Sequence, residues 1–260
     1  MPSGSRKGFL RGILSRNLLE DKSLETRTMF LIFTDLDRCL LDENYSFDMT
    51  IGVLREVCRR GHEVIINTSK TRSEVEHLLR TSRISLPYIV ENGSAIFGPD
   101  GKKTLELGRP YVEVLAGMEI VRTYLGPVKS FSSLSVEELA EITGLDKKGA
   151  ELAKKRDYSE PFIYTGTIPE ELHQELGRKK FRLIRGGKFH HLLGMTDKGE
   201  ATAKVIESLK QQVLSSLIVG IGDGPNDLSM FDEVDIPFMT QRGPSGWCDF
   251  VLRLLEMNYG

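Results

Sequence analysis

The sequence lacks the features that would place it in several broad classes. No stretch of its 260 residues approaches the roughly 20 consecutive apolar residues of a membrane span, and patches such as Ile13-Leu14 and Leu18-Leu19 are too brief to read as a secretory leader. No membrane association is expected. Cysteine is scarce: Cys39, Cys58 and Cys248 are odd in number and spaced like neither a disulfide framework nor a metal clip, which points to a reducing, cytoplasmic setting. Neither sign of charge dominates, since 35 Lys and Arg stand against 37 Asp and Glu, so nothing overall draws the chain to nucleic acid. Internal repeats and low-complexity tracts are absent too. Hydrophobic residues make up 40% of the chain, enough for a real core in one large domain or two modest ones.

The organising stretch is Thr28 to Asp42. Met29 to Phe33 is an unbroken apolar run, as in a strand buried on both faces of a parallel sheet, and it is followed at once by Asp35 and Asp37. Ligands of open α/β sheets gather outside the carboxyl ends of the strands. Two close carboxylates repel one another unless a proton or cation intervenes, and for oxygen ligands alone the natural cation is Mg²⁺.

The surrounding pattern repeats this grammar. A helix is expected from Asp48 to Arg60, then a strand from His62 that closes on Thr68, Ser69, Lys70, Thr71 and Arg72, hydroxyls and cations suited to an anion. A helix over Ser73 to Arg80 and a strand over Pro87 to Val90 follow. Further on, Lys198 stands beside the first turn of a helix over Glu200 to Gln211, where dipole and ammonium together favour an anion. Leu217 to Ile221 is another buried strand, ending in Gly222-Asp223-Gly224-Pro225-Asn226-Asp227. One short strand and a Gly/Pro loop fill Asp232 to Cys248, and Asp249 to Met257 reads as a closing helix. The reading is α/β: a Rossmann-like parallel sheet with helices on both faces, formed by residues 29–93 and 188–260. Between them, turn signals break residues 94–187 into short pieces, among them a capping box at Ser135 to Glu138 and strands near Phe162 and Phe181, so an inserted α+β cap is expected there. The crossings fall near Ser94 and Gly187. Residues 1–28 read as a flexible extension.

Asp35 with Asp37, Thr68, Lys198, and Asp223 with Asp227 occur in order, each at or beside a buried element. This constellation resembles the haloacid dehalogenase-type phosphatase superfamily. The resemblance implies that Asp35 is the nucleophile, that Asp37 is the acid and base, and that Thr68 and Lys198 bind the phosphoryl group. It also implies a Mg²⁺ site built from Asp35, Asp37 (through its carbonyl), Asp223 and Asp227. Thr68 to Arg72, Ile89 to Ser94, Arg156 to Pro161, Gly186 to His191 and Asp197 to Gly199 resemble more narrowly the mannosyl-3-phosphoglycerate phosphatases of that superfamily. Such enzymes release phosphate to leave mannosylglycerate, a compatible solute.

The implied partner is a small phosphorylated glycosyl glycerate, with the protein a monomer or homodimer. Its phosphate, carboxylate and sugar call for groups beyond the catalytic set, and Ser69, Lys70, Arg72, Glu91, Asn92, Tyr158, Ser159, Lys188 and His191 are the substrate-binding candidates. Arg72 is the first choice for the carboxylate, since a guanidinium binds one as a fork. Arg38 and Cys39 depart from the superfamily's small residue and threonine. A thiol is the weaker hydrogen-bond partner, so a less well oriented Asp37 is one expectation, and a redox-sensitive Cys39 with lowered pKa is another reading. The alternatives are a glucosyl-linked or broader sugar-phosphate phosphatase, and a catalytically weakened sugar-phosphate-binding module.

Overall fold

The computed structural model describes residues 29–209 and 216–257; the N-terminal extension lies outside these. Strand β1 (Met29–Thr34) leads to α1 (Ile51–Arg59), β2 (Glu63–Asn67), α2 (Arg72–Thr81) and β3 (Tyr88–Val90). Strands β4 (Ala95–Phe97) and β5 (Lys103–Glu106) follow. The chain then crosses into a second unit of α3 (Tyr111–Leu125), β6 (Lys129–Ser130), α4 (Val136–Thr143), α5 (Lys147–Ala153), β7 (Ser159–Ile163), α6 (Glu170–Arg178), β8 (Arg182–Gly186) and β9 (Phe189–Leu193). It returns through α7 (Lys198–Leu209), β10 (Ser216–Gly222), a 3₁₀ turn (Pro225–Asp227), α8 (Leu228–Phe231), β11 (Ile236–Met239) and α9 (Gly243–Met257).

The larger sheet runs β11-β10-β1-β2-β3-β4-β5. Its pairs from β11 to β3 are parallel, and β4 and β5 add antiparallel at the far edge. Because side chains alternate across a strand, the apolar run of β1 feeds two cores. Phe30 and Ile32 pack with Leu54 and Val57 of α1 and with Trp247 and Val251 of α9. Leu31 and Phe33 face the other way, onto Ala201, Val205 and Leu209 of α7. Burial of both faces is what makes β1 apolar throughout.

The smaller unit is a four-stranded antiparallel sheet, β6-β7-β9-β8, forming the inserted cap of an α/β fold. Val114, Met118 and Val121 of α3 and Leu172 and Leu176 of α6 form its main core with Phe162, Phe181 and Leu192. Its edges differ from the expected 94 and 187. Strands β4 and β5 complete the core sheet, so Ser94 lies in a tight turn within the core, and β9 lies between β7 and β8 in the cap. Helix α3 escaped the sequence reading because its β-branched residues and internal Gly117 blur the helical signal. Gly117 packs closely, and a Cβ there would lie 3.1 Å from the Phe181 ring. Helix α9 starts at Gly243, six residues before the expected Asp249, because Pro244 sits in the first turn, where a missing N–H costs nothing.

Candidate active site

The exits of β1, β2 and β10 and the start of α7 converge at one end of the larger sheet. Asp35 follows β1 directly, and its backbone N–H donates to Ile221 O of β10 at 2.8 Å. Behind it, the single tryptophan, Trp247, donates from Nε1 to Thr34 Oγ1 at 3.1 Å, so the strand end is fixed from the core side. The Asp35 carboxylate takes the Leu36 N–H at 2.8 Å and the Lys198 ammonium at 3.0 Å, both on Oδ1. No described residue donates to Oδ2.

Lys198 is fully buried and also donates to Asp227 Oδ1 at 2.6 Å. The other oxygen of Asp227 accepts the N–H groups of Asp223 and Gly224, each at 3.0 Å. Asp227 thus shapes the β10 loop and holds Lys198 at once. Gly222 makes room for it: a Cβ there would stand 2.3 Å from Asp227 Cγ.

Carboxylate oxygens of Asp35, Asp223 and Asp227 lie within 4.8 Å of one another. Burial pushes the Asp35 carboxyl up to about 7; Lys198 pulls against this, while Asp227 and Asp37 add to it. Asp223 is raised by burial and by Asp227. Burial acts to lower the Lys198 ammonium, but Asp227 and Asp35 outweigh it and hold its pKa above the usual lysine value. Three clustered carboxylates against one buried ammonium leave negative charge uncompensated, and an all-oxygen donor set with a free Asp35 Oδ2 fits a hard divalent cation. Asp227, with both oxygens engaged, stands as support to the other two.

A cavity of 370 Å³ opens over these groups, with core and cap both lining it. From the core come Asp35, Asp37, Arg38, Tyr45, Ser69, Lys70, Glu74, Asp223 and Asn226; from the cap side, Arg156, Lys188, Phe189 and His191. His191 is 5% exposed, its Nδ1 has no partner among the described residues, and burial and the neighbouring Arg156 push its pKa down to about 3, so it is a neutral imidazole.

Other candidates form the frame. Thr68 is fully buried and accepts the Lys70 N–H on Oγ1 at 3.2 Å. Glu91 and Asn92, with φ of 48° and 54°, turn the chain sharply after β3. Their N–H groups bind Lys70 O and Thr68 O, each at 3.0 Å. The buried Glu91 carboxylate reaches into the cap, accepting from Asp157 N at 2.9 Å, Tyr158 N at 3.1 Å and Ser159 Oγ at 2.7 Å. Asn92 Oδ1 accepts from Asn226 Nδ2 at 3.2 Å. Tyr158 instead bonds Glu106 and Lys103 on the far side of the sheet edge.

Arg72 is the candidate placed elsewhere. Its guanidinium pairs with Glu76 at 2.7 Å, donates to Gly101 O at 3.2 Å and lies over the Phe97 ring, outside the cavity lining. As the first residue of α2 it meets the residue four positions on rather than the strand exit. Two other guanidiniums do line the cavity, those of Arg38 and Arg156, and Arg156 donates to Ser69 O at 2.8 Å. Nothing periodic in the sequence marks Arg156, Tyr45 or Glu74. The reading of Cys39 as a thiol of lowered pKa is overturned: Cys39 is fully buried, and burial together with the Asp35, Asp227 and Asp223 carboxylates pushes its pKa up.

Comparisons with known proteins give the family. A family model described as haloacid dehalogenase-like hydrolase matches residues 32–124. Solved structures of haloacid dehalogenase-like hydrolases from Bacteroides thetaiotaomicron and B. subtilis superpose with TM-scores of 0.62 and 0.60 at 16% and 17% identity. They cover 87% and 84% of this chain, and 100% and 92% of their own, which defines the fold. A Persephonella marina protein named glucosyl-3-phosphoglycerate/mannosyl-3-phosphoglycerate phosphatase is 39% identical over 87% of this chain and 97% of its own. A Pyrococcus furiosus mannosyl-3-phosphoglycerate phosphatase is 35% identical over 80% and 90%. The chain belongs to the haloacid dehalogenase-like hydrolases and, within them, to the mannosyl-3-phosphoglycerate phosphatase family, enzymes that hydrolyse phosphoric monoesters.

Proposed function

We propose that this enzyme hydrolyses mannosyl-3-phosphoglycerate to mannosylglycerate and phosphate, with Mg²⁺ and through an aspartyl-phosphate on Asp35. The observation that carries this reading is the joining of the Asp35–Lys198–Asp223 cluster to a cavity lined by Arg38, Arg156 and Lys188. A phosphate and a carboxylate on one sugar-bearing ligand would meet cations at both ends of such a space. The relatives' names supply the particular sugar acid, and the glucosyl compound is a second substrate reading because the P. marina relative is named for both.

The residues divide the work as follows. Asp35 attacks phosphorus with its free oxygen while Oδ1 stays fixed by Leu36 N–H and Lys198. The bond from phosphorus to the glycerate oxygen breaks, and Asp37 gives that oxygen its proton. Asp37 then takes a proton from a water that attacks the phosphoryl group, releasing phosphate and restoring Asp35. Lys198 neutralises charge on the phosphoryl oxygens during both displacements. Asp35, Asp223 and the Asp37 carbonyl would hold Mg²⁺, whose charge complements those oxygens. The inserted cap sets the substrate, and a reducing cytoplasm suits the three free thiols. Mannosylglycerate formation would then serve as compatible-solute synthesis.

The experiment is phosphate release with Mg²⁺ from the mannosyl and glucosyl compounds and from simple sugar phosphates, comparing wild type with Asp35→Asn. Strong release from the mannosyl compound, lost in the variant, supports the reading. Binding without release from any compound would overturn it in favour of a weakened binding module.

A further inference from the structure

Asp37 must be held in one position to pass a proton to a departing oxygen; its backbone bridges Leu41, yet no described residue of its own loop bonds its carboxylate. Its side chain is 36% exposed, and the next residue, Arg38, is in the left-handed region at φ 55° with its side chain 80% exposed. Cys39 is fully buried among apolar residues, and its thiol makes no hydrogen bond among the described residues. The contact that reaches the Asp37 carboxylate comes from another loop: Lys70 Nζ lies 3.1 Å from Oδ1.

Lys70 is itself firmly placed. Its N–H is bound by Thr68 Oγ1 at 3.2 Å and its carbonyl by Glu91 N–H at 3.0 Å. Its ammonium lies 3.5 Å from Glu74 Oε1 and 4.7 Å from the Tyr45 ring centre, and the side chain is only 9% exposed. Glu74 cannot drift, because its Oε2 closes the capping box of α2, accepting the Thr71 N–H at 2.8 Å and the Thr71 hydroxyl at 2.9 Å. The chain from helix cap to Glu74 to Lys70 to Asp37 is continuous. An ammonium set between the Asp37 and Glu74 carboxylates has donors for both, and Lys70 serves as a clamp between them.

We propose, on the phosphatase reading above, that Lys70 is a positioning residue that aims the Asp37 carboxyl at the leaving oxygen. A loss of about an ångström in such aim costs up to about 100-fold in rate. The cost falls where the leaving group needs a proton: an alkyl ester needs one, whereas a nitrophenolate leaves without it.

The test measures kcat/KM, which reports the first displacement, for wild type, Lys70→Met and Lys70→Gln on p-nitrophenyl phosphate, glycerol phosphate and mannosyl-3-phosphoglycerate. Lys70→Met is expected to lose about 100-fold on both alkyl esters and less than about threefold on the aryl ester. Lys70→Gln still offers Asp37 a donor, so it should lose less on the alkyl esters and covers the case in which Lys70→Met folds poorly. A loss confined to mannosyl-3-phosphoglycerate would make Lys70 a carboxylate binder and overturn the inference. So would an equal loss on all three esters, the mark of a merely structural role. Wild-type enzyme inert on every ester would instead overturn the phosphatase reading, and this inference with it.

Discussion

Lys198 donates to Asp227 at 2.6 Å with neither side chain open to solvent, so the ammonium beside Asp35 is held in place by a second, buried carboxylate. Removing one member of a buried pair strands the other. Asp227→Ala is expected to cost about 3–5 kcal/mol, read from the urea midpoint, and to abolish turnover as the β10 loop loses the acceptor for two N–H groups. Asp227→Asn keeps one acceptor oxygen and should fall between.

The acidic cluster should respond to a cation. Mg²⁺ at 100 times its dissociation constant is expected to stabilise the wild type by about 2.7 kcal/mol, seen as a rise in the thermal midpoint that chelator reverses. Asp223→Asn should abolish most of that rise while the folded far-UV spectrum persists. A wild type whose midpoint ignores Mg²⁺ would remove the metal from the mechanism.

Glu91 ties the β3 exit to the cap by three hydrogen bonds. Burial pushes its pKa up, opposed by Arg156 and by those bonds. Glu91→Ala is expected to destabilise by about 3 kcal/mol, because the Ser159 hydroxyl and two backbone N–H groups lose their acceptor and the buried Arg156, 4.0 Å away, loses its counter-charge. Hydrogen exchange should quicken at residues 157–159 before it does so at β1.

His62 gives the protein a pH dependence. It is 6% exposed, its Nδ1 accepts the Phe30 N–H at 3.1 Å, and burial pushes its pKa down to about 4. Between about 6.5 and 4 the unfolded chain therefore binds more protons than the folded one, and stability falls as pH falls through that window. His191, lowered to about 3, adds to the same slope. Unfolding free energies from urea titrations at pH 7 and pH 5 should differ by about 4 kcal/mol from these two groups. His62→Asn, which can present an acceptor to Phe30, should flatten about half of the difference.

Much of the larger sheet was legible because a doubly buried parallel strand must be apolar throughout and must end abruptly, as β1 and β10 do. The cap was less so. Its strands are short and half-buried, β9 follows β8 by a two-residue turn, and α3 carries Val112, Val114, Ile120 and Val121 at positions that suit strand as well as helix. The edge pair β4 and β5 was missed because an antiparallel hairpin after β3 reads locally like the start of an insert.

By itself the sequence determined which chemical groups stand at strand ends and at one helix start: Asp35, Asp37, Thr68, Asp223 and Asp227 at the first, Lys198 at the second, follow from local pattern, since an element's end is set by residues next to it. Only the tertiary structure decided how those groups and their neighbours pair. Lys70 turns to Asp37 while Arg72, two residues on, turns to Glu76, and Asp227 gives both oxygens to the protein while Asp35 keeps one free. The direction of a side chain depends on where its helix begins and on residues brought near from more than a hundred positions away, and no local pattern carries that information.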